Sequence, residues 1–217
     1  MAKLVTKKEV IPIIIILIVG LATLAFYPCL PLKVPSHWNA AGKIDGYMSK
    51  NILVIFFPSL ILGIYLLMVG LPFIDPLRKN IEKSREAYFW LCVILIVFYS
   101  LIYLYSLYAG INSENAFPAR YFMLSIFGLL MISIGSLLPK FKRNYFVGIR
   151  TPWTLHSEEV WDLTHQRARK LFTGAGIILI LSTPFKALKF WPLIIMILFA
   201  LWPVVDSYFL YRKMNKS

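Results

Sequence analysis

The sequence predicts an all-α fold, a polytopic transmembrane helical bundle of about six spans, on three observations. First, the 217 residues are 59% hydrophobic and only 15% charged, against roughly 45–50% and 25% in a soluble domain. Second, the apolar residues come in long blocks. Ile52–Ile74 and Tyr88–Tyr108 carry no charge, and each is long enough for a helix to cross about 30 Å of hydrocarbon. Third, Lys and Arg sit in the gaps between blocks. The net charge of +13 therefore reads as an orientation signal rather than a nucleic-acid surface, and no direct contact with nucleic acid is expected.

The spans in order are about 11–27, 52–74, 88–108, 121–138, 171–185 and 190–211. In hydrocarbon each backbone N–H and C=O must be paired within its own segment, so these runs should be helices. The first follows a basic N-terminus but shows no small-x-small cleavage site, and it reads as an uncleaved span. The fifth is the shortest; it reaches across if its flanking cations snorkel, extending it to 168–188. A re-entrant hairpin of the last two segments is the alternative. Placing the N-terminus in the cytoplasm puts 17 of the 23 Lys and Arg inside, and both termini are then cytoplasmic. Cys29 and Cys92 fall towards opposite ends of their spans, so no disulfide is expected. Gly63 and Gly70, and likewise Gly128 and Gly135, lie seven apart on one helix face, which predicts notches for close helix approach.

Two polar segments stand out from this background. The outer one, CLPLKVPSHWNAAGKIDGYMSKN, is expected to fold over the outer mouth of the bundle, with turns at Pro31, Pro35, Gly42, Gly46 and the Asp45–Gly46 dipeptide. His37 reads as a ring held by hydrogen bonds at an interface, ahead of a metal ligand or pH sensor.

The inner one, NYFVGIRTPWTLHSEEVWDLTH, begins with a backbone-shaping stretch. Gly148 permits positive φ, and Pro152 bars Thr151 from helical ψ. Ser157 then caps an interfacial amphipathic helix before span five, with Glu158 and Glu159 in its first turn. Val160, Trp161, Thr164, Ala168 and Leu171 fall on one face. Glu158, Asp162, His165 and Arg169 fall on the other, where a solvated ion network is favoured over a metal site. Arg150 is placed to grip a carboxylate or lipid phosphate, or to stack on an indole; a snorkelling, lipid-facing Arg fits equally. No HExxH, CxxC, GxSxG or phosphate-binding Gly loop occurs, so neither enzymatic activity nor a cofactor is expected.

The stretch GSLLPKFKRNYFVGIRTPWTLHSEEVWDLTHQRARKLF resembles the signature of the SdpI family of bacterial and archaeal integral membrane proteins. The matching positions are Pro139, Asn144, Gly148, Ile149, Arg150, Thr151, Pro152, Trp153, Thr154, Trp161, Thr164 and His165. The chain departs from the family pattern at Arg169, where Gly is common. The front, LPLKVPSHWNAAGKIDGYMSK, is similar to an uncharacterised two-helix membrane module that often precedes this signature, through Pro31, Val34, Pro35, His37, Trp38, Gly42, Asp45 and Gly46. The resemblance divides the chain at about residue 80, with a two-span module at 1–80 and a four-span SdpI-like module at 81–217. It implies immunity to a secreted, membrane-active peptide toxin, and a second role in holding a transcriptional repressor at the membrane. Binding would then involve Asn144, Gly148, Arg150–Thr154, Trp161 and His165 inside, and Pro35, His37, Trp38, Gly42, Asp45 and Gly46 outside. A small transporter is the competing reading, resting on Asp206 inside the last span and on Pro192 and Pro203 as helix breakers.

Overall fold

The computed structural model describes residues 7–112, 116–188 and 190–215. Eight α-helices are described: α1 (Val10–Phe26), α2 (Lys50–Ile74), α3 (Arg78–Lys83), α4 (Arg85–Ile111), α5 (Ala119–Leu137), α6 (Pro152–His156), α7 (Glu158–Leu181) and α8 (Trp191–Met214). The strands β1 (Lys33–Trp38) and β2 (Ile44–Ser49) form a two-stranded antiparallel sheet between α1 and α2. α1 with the short helical turn after it, α2, α4, α5 with its own C-terminal turn, and α8 are each long and apolar enough to cross a membrane. α8 passes through Pro203 without a break. By contact, the chain divides into one unit of residues 1–69 and 92–119 and a second of 70–91 and 120–217.

In the first unit, the outer polar segment is a hairpin rather than a series of turns. Asp45 and Gly46 lie inside β2; the chain reverses at Asn39–Lys43 instead. There Gly42 adopts φ 78°, and the Asn39 side chain accepts hydrogen bonds from the backbone N–H groups of Ala41 and Lys43 at 3.0 and 3.1 Å. An Asx turn of this kind competes well with an Asp-Gly signal. Pro35 has no N–H to give the ladder, and the register slips between Pro35 and His37, as a strand proline favours. The hairpin is anchored by Val34, fully buried. A Cβ at Gly110 would come within 2.9 Å of the Val34 side chain. Trp38 packs on Tyr105, ring centroids 5.1 Å apart, and the Tyr105 hydroxyl donates to the Phe117 carbonyl at 2.7 Å. Deeper in this unit Tyr103 is fully buried, stacked on Phe57 and hydrogen-bonded to Thr23 at 2.9 Å. Tyr103 and Tyr105 are thus packing residues as well as aromatic residues of a span.

In the second unit, the expected fifth span is not a separate element. The amphipathic turns and the apolar turns after them form one continuous helix, α7, rather than two segments meeting at a bend. Its polar first half keeps α7 out of the group that qualifies by composition. Even so, α7 and α8 pack against each other as a helical hairpin. Arg167 meets Asp206 at 2.9 Å, and from that pair both helices run about 21–23 Å to the turn between them. At that turn the Phe185 carbonyl accepts from Arg120 at the start of α5.

Small residues seat α7 on α5. A Cβ at Gly128 would meet the Gly176 carbonyl at 2.7 Å, and one at Gly135 would meet Phe172 Cβ at 2.9 Å and the Arg169 carbonyl at 3.2 Å. This notch therefore serves close approach, and it closes tightly despite Arg169. Around Gly63 and Gly70, in contrast, a Cβ would meet nothing within 4 Å among the described residues.

Candidate functional site: a hydrogen-bonded knot at one end of the bundle

The signature stretch folds into a compact polar knot, residues 141–165, and its construction follows residue by residue. Phe141 ends the helical turn after α5 with extended backbone, φ −81° and ψ 125°. Its carbonyl accepts the Trp161 indole N–H at 2.8 Å. Asn144, 1% exposed, uses both ends of its amide. Oδ1 accepts from the N–H groups of Phe146 and Val147 at 2.9 and 2.7 Å, and Nδ2 donates to the carbonyls of Lys142 and Val147. One side chain thereby stands in for the secondary structure that this loop lacks.

Gly148 then takes φ 113°. A Cβ there would lie 2.5 Å from His165 Nε2 and 3.0 Å from the Trp161 ring. Positive φ and close packing both demand glycine at this position.

Thr151, extended at φ −116° and ψ 162°, is the N-cap of α6, with Pro152 at the first helical position. Thr151 and Thr154 form a reciprocal capping box, and the Thr154 hydroxyl donates to the Ile149 carbonyl at 2.8 Å. This short helix is fastened to α8 by a Thr151–Ser207 hydroxyl contact at 3.0 Å and by Trp153 packing on Tyr208. Ser157 caps α7 as expected, accepting from the Val160 N–H.

His165 sits elsewhere than on the polar face. It is fully buried, stacked on Trp161 with centroids 4.1 Å apart and planes at 23°. On the helical wheel His165 lies at the boundary of the two faces, some 40° from Trp161, and ring stacking draws it to the inner side. Its Nδ1 donates to the Trp161 carbonyl at 2.7 Å, and Nε2 accepts from the Ile149 N–H at 3.0 Å. Only the neutral ring with the proton on Nδ1 satisfies both bonds. Burial also pushes the ring down to about 4, against the opposing pull of the Trp161 carbonyl and Asp162.

The acids of α7 likewise find partners off their own helix. Glu158 faces Arg143 and Asp162 faces Lys142, so the network with Arg169 is replaced by one reaching across to residues 142–143. Arg150 is exposed and donates to the Tyr145 carbonyl at 2.7 Å; it braces the loop that leads into α6.

Several participants lie outside the signature. Asp75, 5% exposed, accepts from the N–H groups of Leu77 and Tyr145 at 2.6 and 2.9 Å. Asn80 donates to the Arg143 carbonyl, and the Ser84 hydroxyl accepts from the Lys142 N–H. Arg143 in turn holds the Leu155 carbonyl at the end of α6 at 2.7 Å. The sequence signal for this set was the Asp-Pro pair closing α2, a turn-forming dipeptide that the positive charge of the segment obscured.

The residues expected outside come together in the hairpin. His37 Nδ1 meets Asp45 Oδ1 at 2.5 Å, both side chains exposed, and Gly46 lies opposite, where a Cβ would approach His37 Cβ to 2.8 Å. Among the described residues no three His, Cys, Asp or Glu side chains gather as a metal site. Cys29 and Cys92 are both free thiols. Asp206, the acid inside the last span, is paired with Arg167.

Residues 140–206 match the family model described as the SdpI/YfhL protein family, and residues 14–62 match a domain of unknown function, DUF1648. The first match covers the knot, α6, α7 and most of α8; the second covers most of α1, the hairpin and the first half of α2. The chain is 27% identical over 214 residues to the protein named Immunity protein SdpI of Bacillus subtilis (strain 168), spanning 97% of this chain and 99% of that one. No solved structure matches it. The chain is thus a multi-pass cell-membrane protein whose residues 140–206 match the SdpI/YfhL family model and whose residues 14–62 match DUF1648.

Proposed function

We propose that this chain is a membrane immunity protein that protects its cell against a secreted, membrane-active peptide toxin. The observation that carries this reading is the end-to-end relationship to a protein named for immunity. It is a relationship of the whole chain, hairpin included, and not of the signature alone. In this reading the toxin is met from outside, at the His37–Asp45 hairpin and the outer helix ends. The inner knot fixes the ends of α5, α7 and α8 relative to one another, and its cytoplasmic face is where a transcriptional repressor would be held.

The topology that goes with this has six crossings, α7 crossing beside α8, and the knot and both termini in the cytoplasm. The basic-residue asymmetry supports it. Division at residue 80 into a two-span and a four-span module is the matching domain scheme. A single Cys introduced beside Trp153, in a Cys29→Ser, Cys92→Ser background, should be protected from impermeant maleimide in intact cells and labelled after lysis.

The functional test is expression in a strain sensitive to the cognate toxin. Survival at toxin doses that kill the parent strain is expected. Unchanged killing, with the protein detected in the membrane, would remove the reading.

A further inference from the structure

Beside the knot lies a cleft of about 210 Å³ lined by Lys83, Lys142, Arg143, Glu158, Trp161 and Asp162, together with Asn80. It is smaller than the roughly 300–1,000 Å³ of pockets for drug-sized ligands, so it suits a small polar group. The arrangement of charge is specific. Cations come from α3 and the loop after α5, and the acids come from successive turns of α7.

The opposing charges face each other without closing. Arg143 stands 3.5 Å from Glu158 and Lys142 stands 3.8 Å from Asp162, beyond the roughly 2.7–2.9 Å of a charge-assisted hydrogen bond. Lys83 makes no ion pair, and the Nε of Arg143 is buried without a hydrogen-bond partner, among the described residues. A plain anion would meet the three cations but also two carboxylates, and a plain cation would meet the reverse. A zwitterion answers both sets at once.

We propose that this cleft binds a phosphate ester bearing a primary amine a few atoms away, the chemistry of a phosphoethanolamine group. Lys83, Lys142 and Arg143 take the phosphate, and Glu158 and Asp162 take the ammonium. The proposal is independent of the immunity reading.

The test uses the full chain in phosphatidylcholine nanodiscs, titrated with phosphatidylethanolamine or phosphatidylglycerol and read by native mass spectrometry. Soluble glycerophosphoethanolamine and inorganic phosphate form parallel arms. Preferential binding of the amine-bearing compounds is expected. Lys83→Ala should weaken it roughly tenfold, the scale of one hydrogen bond to a charged group, and Asp162→Asn should erase the preference over phosphatidylglycerol. Both residues lie on the surface of the cleft, and an unchanged melting temperature confirms that each variant is folded. Binding of the soluble ester identifies a free solute as the ligand; binding of the lipid alone identifies a bilayer headgroup. Absence of binding in both arms would overturn the proposal, as would equal binding of phosphatidylglycerol and inorganic phosphate, or folded variants that bind as the parent does.

Discussion

The hairpin and the knot are the two polar segments of an apolar chain, and they are built on opposite principles. The hairpin is held by a few apolar anchors, Val34 and Trp38, while its His37–Asp45 pair stays in solvent. The knot buries polar groups and matches most of them: Asn144, Thr151, Thr154 and His165 are each at most 4% exposed and each hydrogen-bonded, while Arg143 Nε and Thr164 Oγ1 lack a partner among the described residues. Exposed pairs contribute little because water competes for them. Buried polar groups are costly to orphan because nothing replaces the lost partner. Substitutions should therefore be tolerated in the hairpin and not in the knot.

The largest expected effect is Gly148→Ala. The variant must hold a Cβ at φ 113° against His165 and Trp161, and a loss of about 3 kcal/mol or more is expected from the backbone strain and the clash together. Fluorescence-detected thermal unfolding in detergent should show a collapse of the transition. Asn144→Ala follows. It orphans the N–H groups of Phe146 and Val147 together with two carbonyls, and the same measurement should show about 3 kcal/mol lost.

Next comes a pH effect. The folded His165 ring is held neutral down to about 4, whereas an unfolded His takes a proton at about 6.5. Between those values the unfolded state binds more protons, so stability is complete above pH 6.5 and falls as pH drops towards 4. The loss approaches about 3 kcal/mol, and His165→Gln should flatten that slope. The smallest effect belongs to the hairpin: His37→Ala or Asp45→Asn should cost less than about 1 kcal/mol. A hairpin variant as damaging as Asn144→Ala would break the comparison.

The spans were legible because hydrocarbon leaves a continuous apolar run only one compatible backbone. The apolar half of α7 was harder to read, since its apolar turns are fewer and follow directly on polar ones. Its place beside α8 and α5 shows in the pairing of Arg167 with Asp206 and of Arg120 with the Phe185 carbonyl, contacts that no local pattern announces. The hairpin escaped because Pro35 and Gly46 interrupt strand alternation, and because Asp45–Gly46 gives a turn signal inside a strand. Asn39, whose side chain makes the actual turn, carries a weaker one.

In the knot, the cap at Ser157, the non-helical ψ of Thr151 and the positive φ of Gly148 could be read directly, since each is a local backbone requirement. His165 was placed on the wrong face because it lies at the boundary between the two, where stacking on Trp161 decides. The Asp75–Pro76 pair signalled a turn, but not the roles of Asp75 and Asn80, whose partners, Tyr145 and Arg143, are more than sixty residues away.

His165 also offers the most direct test of the central claim, that the signature is a buried, self-satisfied scaffold and not an exposed polar face. The measurement is ¹⁵N NMR of the histidine side chains in the full chain, assigned with His165→Gln and followed from pH 8 to pH 5. The account predicts one neutral tautomer for His165, protonated at Nδ1, with no titration across that range. A His165 ring that titrates near the ordinary value, or exchanges between tautomers, would contradict it.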